Sequence, residues 1–219
     1  QQNFLKLFSW QKIYTRKGLE KRMFYSIKPK GNPKIGHTYV GSKLFNDVGV
    51  QKIIDSLDKD WFKSQVEHSV TDEMNDDIAK TRVGKEQNLK IINESFPYPQ
   101  ISNLISEINN DYWRFDVTGF DMYNDHPQVF RYDVGGKFDW HSDVGKSAPT
   151  RKLAFSLQLS DSDEYEGGNL EFFGHEFDKR TREKGSLIVF PSFIFHRVTQ
   201  ITKDTRFAVV GWVHGPTFQ

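Results

Sequence analysis

The second half of the chain is a succession of short segments in which apolar and polar residues alternate with the period of a β-strand. Turn signals such as Gly135-Gly136, Gly167-Gly168 and Lys184-Gly185 separate these segments. Because no helical segment lies between them, the strands are expected to pair antiparallel, in a sandwich or a barrel. The predicted strands span residues 114–122, 127–134, 137–142, 152–160, 169–173, 186–190, 193–199 and 205–213.

Two amphipathic helices are predicted before this β-rich part. Phe45 to Leu57 carries one apolar stripe and can be capped by Asn46 or Asp47, and Tyr98 to Ile108 carries another. The polar, aperiodic residues 68–90 predict a long loop. The fold class is therefore α+β and mainly β: a double-stranded β-helix, or jelly roll, braced by N-terminal helices. We assign residues 1–44 to a basic N-terminal arm that packs on the core, and residues 45–219 to the domain.

Charge separates the arm from the rest. Residues 1–43 hold ten Lys or Arg and one acidic residue, whereas the remaining residues hold 20 basic and 28 acidic side chains. A basic arm can touch nucleic acid or another acidic surface. The apolar residues Phe4, Leu7, Phe8, Trp10 and Tyr14 favour the alternative, an arm that packs on the acidic body of its own domain.

The absence of cysteine restricts the chemistry. It excludes disulfides, zinc–thiolate sites and thiol nucleophiles, so a metal has to be bound by His and carboxylate side chains. No run of about 18 apolar residues indicates a membrane span. No secretory signal pattern is visible either, so the expected location is cytoplasmic and no membrane partner is expected.

The residues His141-Ser142-Asp143 form the first candidate ligand pair. Residues two apart in a strand point to the same face, so both side chains can converge on one metal ion. In isolation such a pair is more typical of a surface His beside a surface Asp. A metal site is nevertheless the better interpretation for two reasons. The pair follows a strand, a glycine turn and a second strand, and His196 follows on a later strand.

The facial arrangement of two His and one carboxylate leaves three coordination positions open, as an Fe(II) oxygenase requires. Arg206 follows His196 by ten residues and opens a strand on which Arg206, Ala208, Val210 and Trp212 share one face. A planar guanidinium meets a carboxylate through two parallel hydrogen bonds, so Arg206 suits the far carboxylate of a 2-oxo diacid.

The chain resembles the 2-oxoglutarate/Fe(II) dioxygenases over about residues 45–215, and most strongly over 128–213. The closest resemblance is to the prolyl-4-hydroxylase-like group with its PKHD-type members. The motifs that carry it are the run from Arg131 to Asp143, the segments 151–160 and 165–170, and the stretch from Gly185 to Trp212. Their combination, in this order, is specific.

The resemblance implies that His141, Asp143 and His196 are the catalytic iron ligands and that Arg206 binds 2-oxoglutarate. It implies Fe(II) and 2-oxoglutarate as cofactors, with ascorbate as a supporting reductant. The activity it implies is a dioxygenase that hydroxylates a prolyl or other amino-acid side chain, in a peptide, a protein or a free amino acid. O₂ is then a further substrate, and succinate and CO₂ are released.

Five further positions match the family less closely. Tyr132 is placed to hydrogen-bond the co-substrate, and Trp212 to form an aromatic wall beside it, although both also fit an ordinary core. Gln158 stands where some relatives place a Tyr toward the co-substrate, and this departure puts its contact in question. Arg151 corresponds to a substrate-contacting position or is a surface Arg. Phe138 replaces a Tyr near the substrate, so a hydroxyl contact is lost.

Three other functions are compatible with the same motifs. One is a catalytically idle jelly-roll module that binds metal, and another is a cupin-type metalloenzyme that takes its electrons from another source. The third is a nucleic-acid demethylase, which the basic arm favours; such relatives usually carry a second Arg six residues after the first, where this chain has Trp212. The sequence leaves the substrate, peptide or small molecule, and the oligomeric state open.

Overall fold

The structure is a computed structural model that describes residues 8–10, 25–27, 37–64 and 82–218. The chain divides into two compact units, residues 1–34 and residues 35–219. In the first unit, the described residues form a two-stranded antiparallel ribbon. The second unit contains the helices and all remaining strands of the described residues.

The described strands of both units, in chain order, are β1 (Phe8–Trp10), β2 (Tyr25–Ile27), β3 (Val40–Lys43), β4 (Phe62–Lys63), β5 (Arg82–Val83), β6 (Lys85–Asn88), β7 (Gln128–Tyr132), β8 (Lys137–His141), β9 (Arg151–Gln158), β10 (Glu166–Gly167), β11 (Leu170–Phe172), β12 (Ser186–Pro191), β13 (His196–Val198), β14 (Ile201–Lys203) and β15 (Arg206–His214). The helices are α1 (Asp47–Asp55) and α2 (Tyr98–Tyr112), with short 3₁₀ helices at Asn93–Ser95 and Lys179–Arg182.

Two antiparallel sheets build the second unit. The main sheet has seven strands in the order β3-β12-β9-β15-β7-β6-β4, and the minor sheet has four in the order β11-β13-β8-β5. The pair β10 and β14 forms a separate two-stranded ribbon. The prediction of a mainly β fold with antiparallel pairing is confirmed.

Both helices pack on one face of the main sheet. Helix α1 begins after Asn46, whose side chain accepts a hydrogen bond from the Gly49 amide, as the sequence predicted. The helices bury their apolar stripes against alternate residues of the central strands. This core includes Val50, Ile53, Ile101, Ile105, Ile108, Leu153, Phe155, Leu157, Leu187, Val189, Val209 and Val213.

The opposite face of the same strands carries different chemistry. On β9, Ser156 and Gln158 are buried on the side away from the helices, since side chains alternate along a strand. On β15, Arg206 and Trp212 share that side, as the period of two predicted. The helices therefore fill one face of the main sheet, and the other face is free to line a site.

The segment 114–122 was predicted as a strand, and this prediction is wrong. Its described contact with a strand is an isolated bridge between Gly119 and His214. Arg114 and Gly119 both have positive φ angles, +56° and +124°, so the backbone of this segment does not form a continuous extended strand. The seven other predicted strands correspond to β7, β8, β9, β11, β12, β13 and β15.

The predicted loop 68–90 is wrong where the structure describes it, since β5 and β6 lie within it. These strands are short and mostly polar, so they show no apolar alternation in the sequence. They form because they pair with β8 and β7, which lie far along the chain. Residues 68–81 of that loop lie outside the described residues.

The basic arm is expected to pack on the core through its apolar residues 4–14, and this prediction also falls outside the described residues. Strand β3, within the residues that we assigned to the arm, is an edge strand of the main sheet and pairs with β12. None of the helices in the described part of the chain combines the length and the apolarity that a membrane span requires.

Candidate metal centre and active site

The three predicted metal ligands lie together. His141 ends β8 and His196 begins β13, and the antiparallel register places these two residues opposite each other. Asp143 follows two residues after His141, and its amide donates to the Ser192 carbonyl. One ligand atom from each of the three side chains lies within 4.8 Å of the others. In both His–Asp pairs, the imidazole Nε2 lies 3.6 Å from a carboxylate oxygen of Asp143.

The hydrogen bonds of the two imidazoles fit metal ligation. His141 Nδ1 lies 2.7 Å from the carbonyl oxygen of Asp139, and His196 Nδ1 lies 2.9 Å from that of Ile194. Because a carbonyl only accepts, each Nδ1 carries the proton and each Nε2 presents its lone pair to the cluster. Main-chain partners of this kind fix the tautomer and ring orientation of metal-binding histidines.

Charges within the cluster favour the forms that bind a metal. Burial lowers the pKa of His196 to about 4, against the opposing effect of Asp143, so this imidazole is neutral at pH 7. Burial alone would raise the pKa of Asp143, but His196 and His141 hold it below its ordinary value. A neutral imidazole beside an ionised carboxylate is the donor set that a divalent metal ion requires.

Aromatic side chains enclose the cluster. Phe138 stacks on His141 with ring centroids 3.5 Å apart, and Phe190 lies edge-on to His196 at 4.6 Å. Phe138, predicted beside the substrate, therefore lies directly against a candidate ligand. Such an apolar shell limits solvent access to a metal and strengthens the electrostatic interactions inside it.

The cluster opens on an inner pocket, which lies between the two sheets. The pocket is lined by Arg82, Phe130, Tyr132, Phe138, His141, Asp143, Phe155, Ser156, Leu170, Phe190, His196, Val198, Arg206, Val210 and Trp212. It thus brings together the three candidate ligands, the predicted carboxylate-binding Arg206, Tyr132 and Trp212.

Arg206 is almost wholly buried, with 2% of its surface exposed. Its Nη2 donates to the side-chain oxygen of Gln158 at 2.8 Å, and the Gln158 amide donates to Ser156 Oγ at 2.9 Å. Its buried Nε has no hydrogen-bond partner, and no carboxylate pairs with it in the part of the chain that the structure describes. The pocket therefore contains a buried positive charge whose described partner is a neutral amide.

Tyr132 lies beside this charge, and Trp212 lines the same pocket six residues further along β15. Tyr132 pairs with Arg206 in the β7–β15 register, its ring lies 5.6 Å from the guanidinium carbon, and burial raises its pKa. Trp212 is 7% exposed, and its buried Nε1 has no hydrogen-bond partner among the described residues. Both side chains therefore belong to the lining of the pocket as well as to the core.

The glycine turn before β11 packs against Arg206. Gly168 has a φ angle of +61°, and a Cβ built on it would lie 3.0 Å from Arg206 Cδ and 2.3 Å from Ile201 Cδ1. A larger side chain there would collide with Ile201 and crowd Arg206. Glycine at this position thus lets the turn pack closely against the arginine.

An outer groove of about 640 Å³ adjoins the inner pocket and shares His141, Asp143, Phe138, Arg82 and Trp212 with it. Its other lining residues are Glu86, Asn124, Asp125, His126, Gln128, Asp139, Trp140, Ser142, Val144, Gly145, Lys146, Ser147, Ala148 and Arg151. His141 and Asp143 therefore line both the inner pocket and the outer groove, whereas His196 lines the inner pocket alone of the two.

Arg151, predicted to contact substrate, lines this groove, but its guanidinium is already engaged with Asp125. No sequence pattern indicates a functional role for Asp125, Ser156 or Arg82. Asp125 lies 26 residues before its partner, with no local pattern to connect them. Arg82 falls in the expected loop, yet its guanidinium lies over the rings of Phe130 and Phe138, at 4.5 and 4.8 Å from their centroids.

The region that contains the His–Asp–His cluster and the buried arginine is similar to known iron-dependent oxygenases. The family model of the 2OG-Fe(II) oxygenase superfamily matches residues 127–214. A PKHD-type hydroxylase of Gloeothece citriformis is 37% identical over 93 residues, which are 40% of this chain and 42% of that protein. The alignment thus spans less than half of the curated relative.

Solved structures share the fold at low sequence identity. A Pseudomonas putida prolyl-4-hydroxylase has a TM-score of 0.61 at 16% identity, over 83% of this chain and 94% of that one. A Trichoplax adhaerens prolyl hydroxylase, in complex with a hypoxia-inducible factor peptide fragment, has a TM-score of 0.61 at 16% identity, over 82% and 84%. The resemblance to PKHD-type 2OG/Fe(II) oxygenases is confirmed, and the match together with the cluster supports Fe(II) and 2-oxoglutarate as cofactors.

Proposed function

We propose that this protein is a 2-oxoglutarate- and Fe(II)-dependent dioxygenase that hydroxylates a prolyl or other amino-acid side chain and releases succinate and CO₂. One observation carries the proposal. A single buried pocket is lined both by the His141–Asp143–His196 cluster and by Arg206, whose positive charge has no carboxylate partner among the described residues. A buried cation without an anion is costly, so the pocket is suited to a small carboxylate that also reaches a metal ion.

The side chains that line the pocket have different proposed roles. His141, Asp143 and His196 would hold the metal ion and leave positions open for ligands. Arg206 would bind the distal carboxylate of 2-oxoglutarate with Tyr132 beside it, and Trp212 would line the same pocket further along β15. When bound, iron and 2-oxoglutarate supply the oxidising chemistry, in which decarboxylation of the 2-oxo acid is coupled to insertion of one oxygen atom of O₂ into a substrate C–H bond. The surrounding phenylalanines exclude water from this chemistry.

The outer groove is the proposed substrate site, because it reaches His141 and Asp143 from the solvent side. Its volume and open shape suit a polypeptide segment, and a hydroxylase of this fold has been solved with a peptide. We therefore propose a side chain within a peptide or protein as the first substrate class to test, before a free amino acid. Phe138 and Trp140 would line the entry to the metal.

Two further features belong to the proposal. We infer that the main and minor sheets together form a double-stranded β-helix, which places the ligand-bearing strand ends at the opening between the sheets. We also retain two predictions from the sequence: that the basic arm packs on the domain, and that the protein is cytoplasmic.

Anaerobic absorption spectroscopy tests the cofactor chemistry. Fe(II) added with 2-oxoglutarate to the metal-free protein is expected to produce the weak visible charge-transfer band of the chelate. His141→Ala should abolish the band, and Arg206→Ala should require far more 2-oxoglutarate to produce it. Bound iron without a band in the unmodified protein would refute the 2-oxoglutarate assignment and favour an idle metal-binding module. Succinate release can then be used to screen peptides.

A further inference from the structure

Asp125 and Arg151 form a two-point ion pair at the edge of the proposed active site. Arg151 Nε donates to Asp125 Oδ2 and Nη2 donates to Oδ1, each at 2.6 Å. Both side chains are largely buried, with 17% of each exposed. Charge-assisted pairs of this parallel geometry are among the strongest and most directional hydrogen bonds in proteins.

The remaining contacts of Arg151 lead to the candidate metal centre. Its guanidinium lies flat against Trp212, 3.5 Å from the ring centroid, and its Nη1 donates to the main-chain carbonyl of Asp143 at 3.3 Å. The amide of Asp143 is held in turn by the Ser192 carbonyl at 2.8 Å. The main-chain amide and carbonyl of Asp143 are therefore both hydrogen-bonded, and Arg151 is the partner of the carbonyl.

Besides Arg151, the ring of His214 lies next to the carboxylate of Asp125. His214 Nε2 lies 3.2 Å from Asp125 Oδ2, and His214 Nδ1 lies 3.0 Å from Thr150 Oγ1. Burial alone would raise the pKa of Asp125, but the nearby His214 and the hydrogen-bonded Arg151 hold it below its ordinary value. The carboxylate is therefore ionised at neutral pH.

We propose that Asp125 is a positioning residue for the metal centre, acting through Arg151. By occupying Nε and Nη2, the carboxylate turns the guanidinium so that its flat face lies on Trp212 and Nη1 points to the Asp143 carbonyl. The inference rests on the proposed function, since it concerns the ligand that Asp143 provides. It also gives Arg151 a different role from the one expected from the sequence: the guanidinium braces the ligand segment.

Mn(II) binding, followed by electron paramagnetic resonance of the free ion, measures this role without turnover. Asp125→Asn keeps the shape of the side chain but removes its charge and one of its two acceptor oxygens. We expect it to weaken Mn(II) binding by about tenfold, the usual effect of losing an outer partner of a metal ligand. Arg151→Met should weaken binding at least as much, and the double variant should bind no worse than Arg151→Met alone.

The double variant separates positioning from a general loss of stability. If Asp125 acts only through Arg151, its removal has no further effect once Arg151 is gone. Asp178→Asn is the matched control, because Asp178 also binds an arginine, Arg180, at 2.6 Å but lines neither the inner pocket nor the outer groove. This control should retain the Mn(II) affinity of the unmodified protein.

Several results would overturn the inference. Asp125→Asn could bind Mn(II) within twofold of the unmodified protein, or the two single effects could multiply in the double variant. If Asp125→Asn does not fold, Arg151→Lys provides the test, because a single ammonium cannot reach Asp125 and the Asp143 carbonyl as a planar fork does. Mn(II) affinity unchanged in Arg151→Lys would contradict the role equally.

Failure of the positioning role can be distinguished from failure of the proposed function. If the unmodified protein binds Mn(II), loses it with His141→Ala and is indifferent to Asp125→Asn, only the positioning role is wrong. If the unmodified protein binds no Mn(II), the metal centre and the inference are both wrong.

Discussion

Two arginines near the candidate metal centre differ in how their charge is balanced. Arg151, in the outer groove, is paired with the carboxylate of Asp125 through two hydrogen bonds. Arg206, in the inner pocket, is more deeply buried, yet its described partner is the neutral side chain of Gln158. The residue with the higher cost of burial is thus the one without a counter-ion among the residues that the structure describes.

This difference indicates what each arginine can do. A guanidinium bound at two points by an internal carboxylate is fixed in place and offers little net charge to a ligand. A buried guanidinium held by an amide keeps its orientation and its full charge, so an incoming carboxylate supplies the missing anion. The predictions below test this contrast, from the largest expected effect to the smallest.

Arg206→Met is expected to have the largest effect. Removing one partner of a buried charged pair costs about 3–5 kcal/mol, so 2-oxoglutarate affinity should fall by at least about a hundredfold. Isothermal titration of the Mn(II)-loaded protein with 2-oxoglutarate measures this without turnover. Mn(II) affinity should not change, because Arg206 touches none of the three candidate ligands. An undiminished 2-oxoglutarate affinity would remove the basis for assigning the inner pocket to this co-substrate.

Gln158→Glu tests whether the neutrality of the Arg206 partner matters. The substitution keeps the size of the side chain but supplies the carboxylate that Arg206 lacks, so it competes with the ligand and repels it. We expect 2-oxoglutarate affinity to fall by about tenfold or more, while the ligand-free protein becomes no less stable to heat. The same titration and a melting curve measure both effects. Gln158→Met is the control, because it introduces no charge; binding by Gln158→Glu at the level of the unmodified protein would show that neutrality is unimportant.

The sequence predicted the position of Arg206 in the candidate site, but it did not predict the partners of Arg206 and Arg151. The period of two on β15 put Arg206 and Trp212 on one face, and residues two apart put His141 beside Asp143. The register of β8 with β13, which brings His196 opposite His141, could be expected from the family resemblance alone. Gln158 was noted only for its departure from the family, because its link to Arg206 depends on the pairing of β9 with β15.

Asp125 illustrates what a single sequence cannot reveal. It lies between two segments that were predicted to be strands, residues 114–122 and 127–134, and its partner is 26 residues further along the chain. The positive φ angles of Arg114 and Gly119 bend the preceding segment away from the extended form. Only this tertiary path brings the Asp125 carboxylate to the groove, and no local pattern of polarity encodes it.

Asp125→Asn is expected to lower the free energy of unfolding of the metal-free protein by about 1–2 kcal/mol at pH 7, through the loss of a charged hydrogen-bonded pair. The folded-state pKa of Asp125 lies below its ordinary value, so its stabilisation is fully present above that value and is lost as the pH falls through the folded-state pKa. The difference between the two proteins should therefore shrink as the pH falls below about 4. Urea unfolding at a series of pH values measures it, and a constant difference would contradict an ionic origin.

Lys90→Met is expected to have the smallest effect, although the Lys90–Asp58 pair has the same 2.6 Å separation as the contacts between Arg151 and Asp125. Here 41% and 61% of the two side chains are exposed, so water screens the charges and the long Lys side chain loses freedom when it is held. The free energy of unfolding should change by less than about 0.5 kcal/mol, and 2-oxoglutarate and Mn(II) binding should not change. Urea unfolding at low and high salt provides the comparison. A change as large as that of Asp125→Asn would mean that distance, and not burial, determines the strength of these pairs, and the contrast between the two arginines would lose its physical basis.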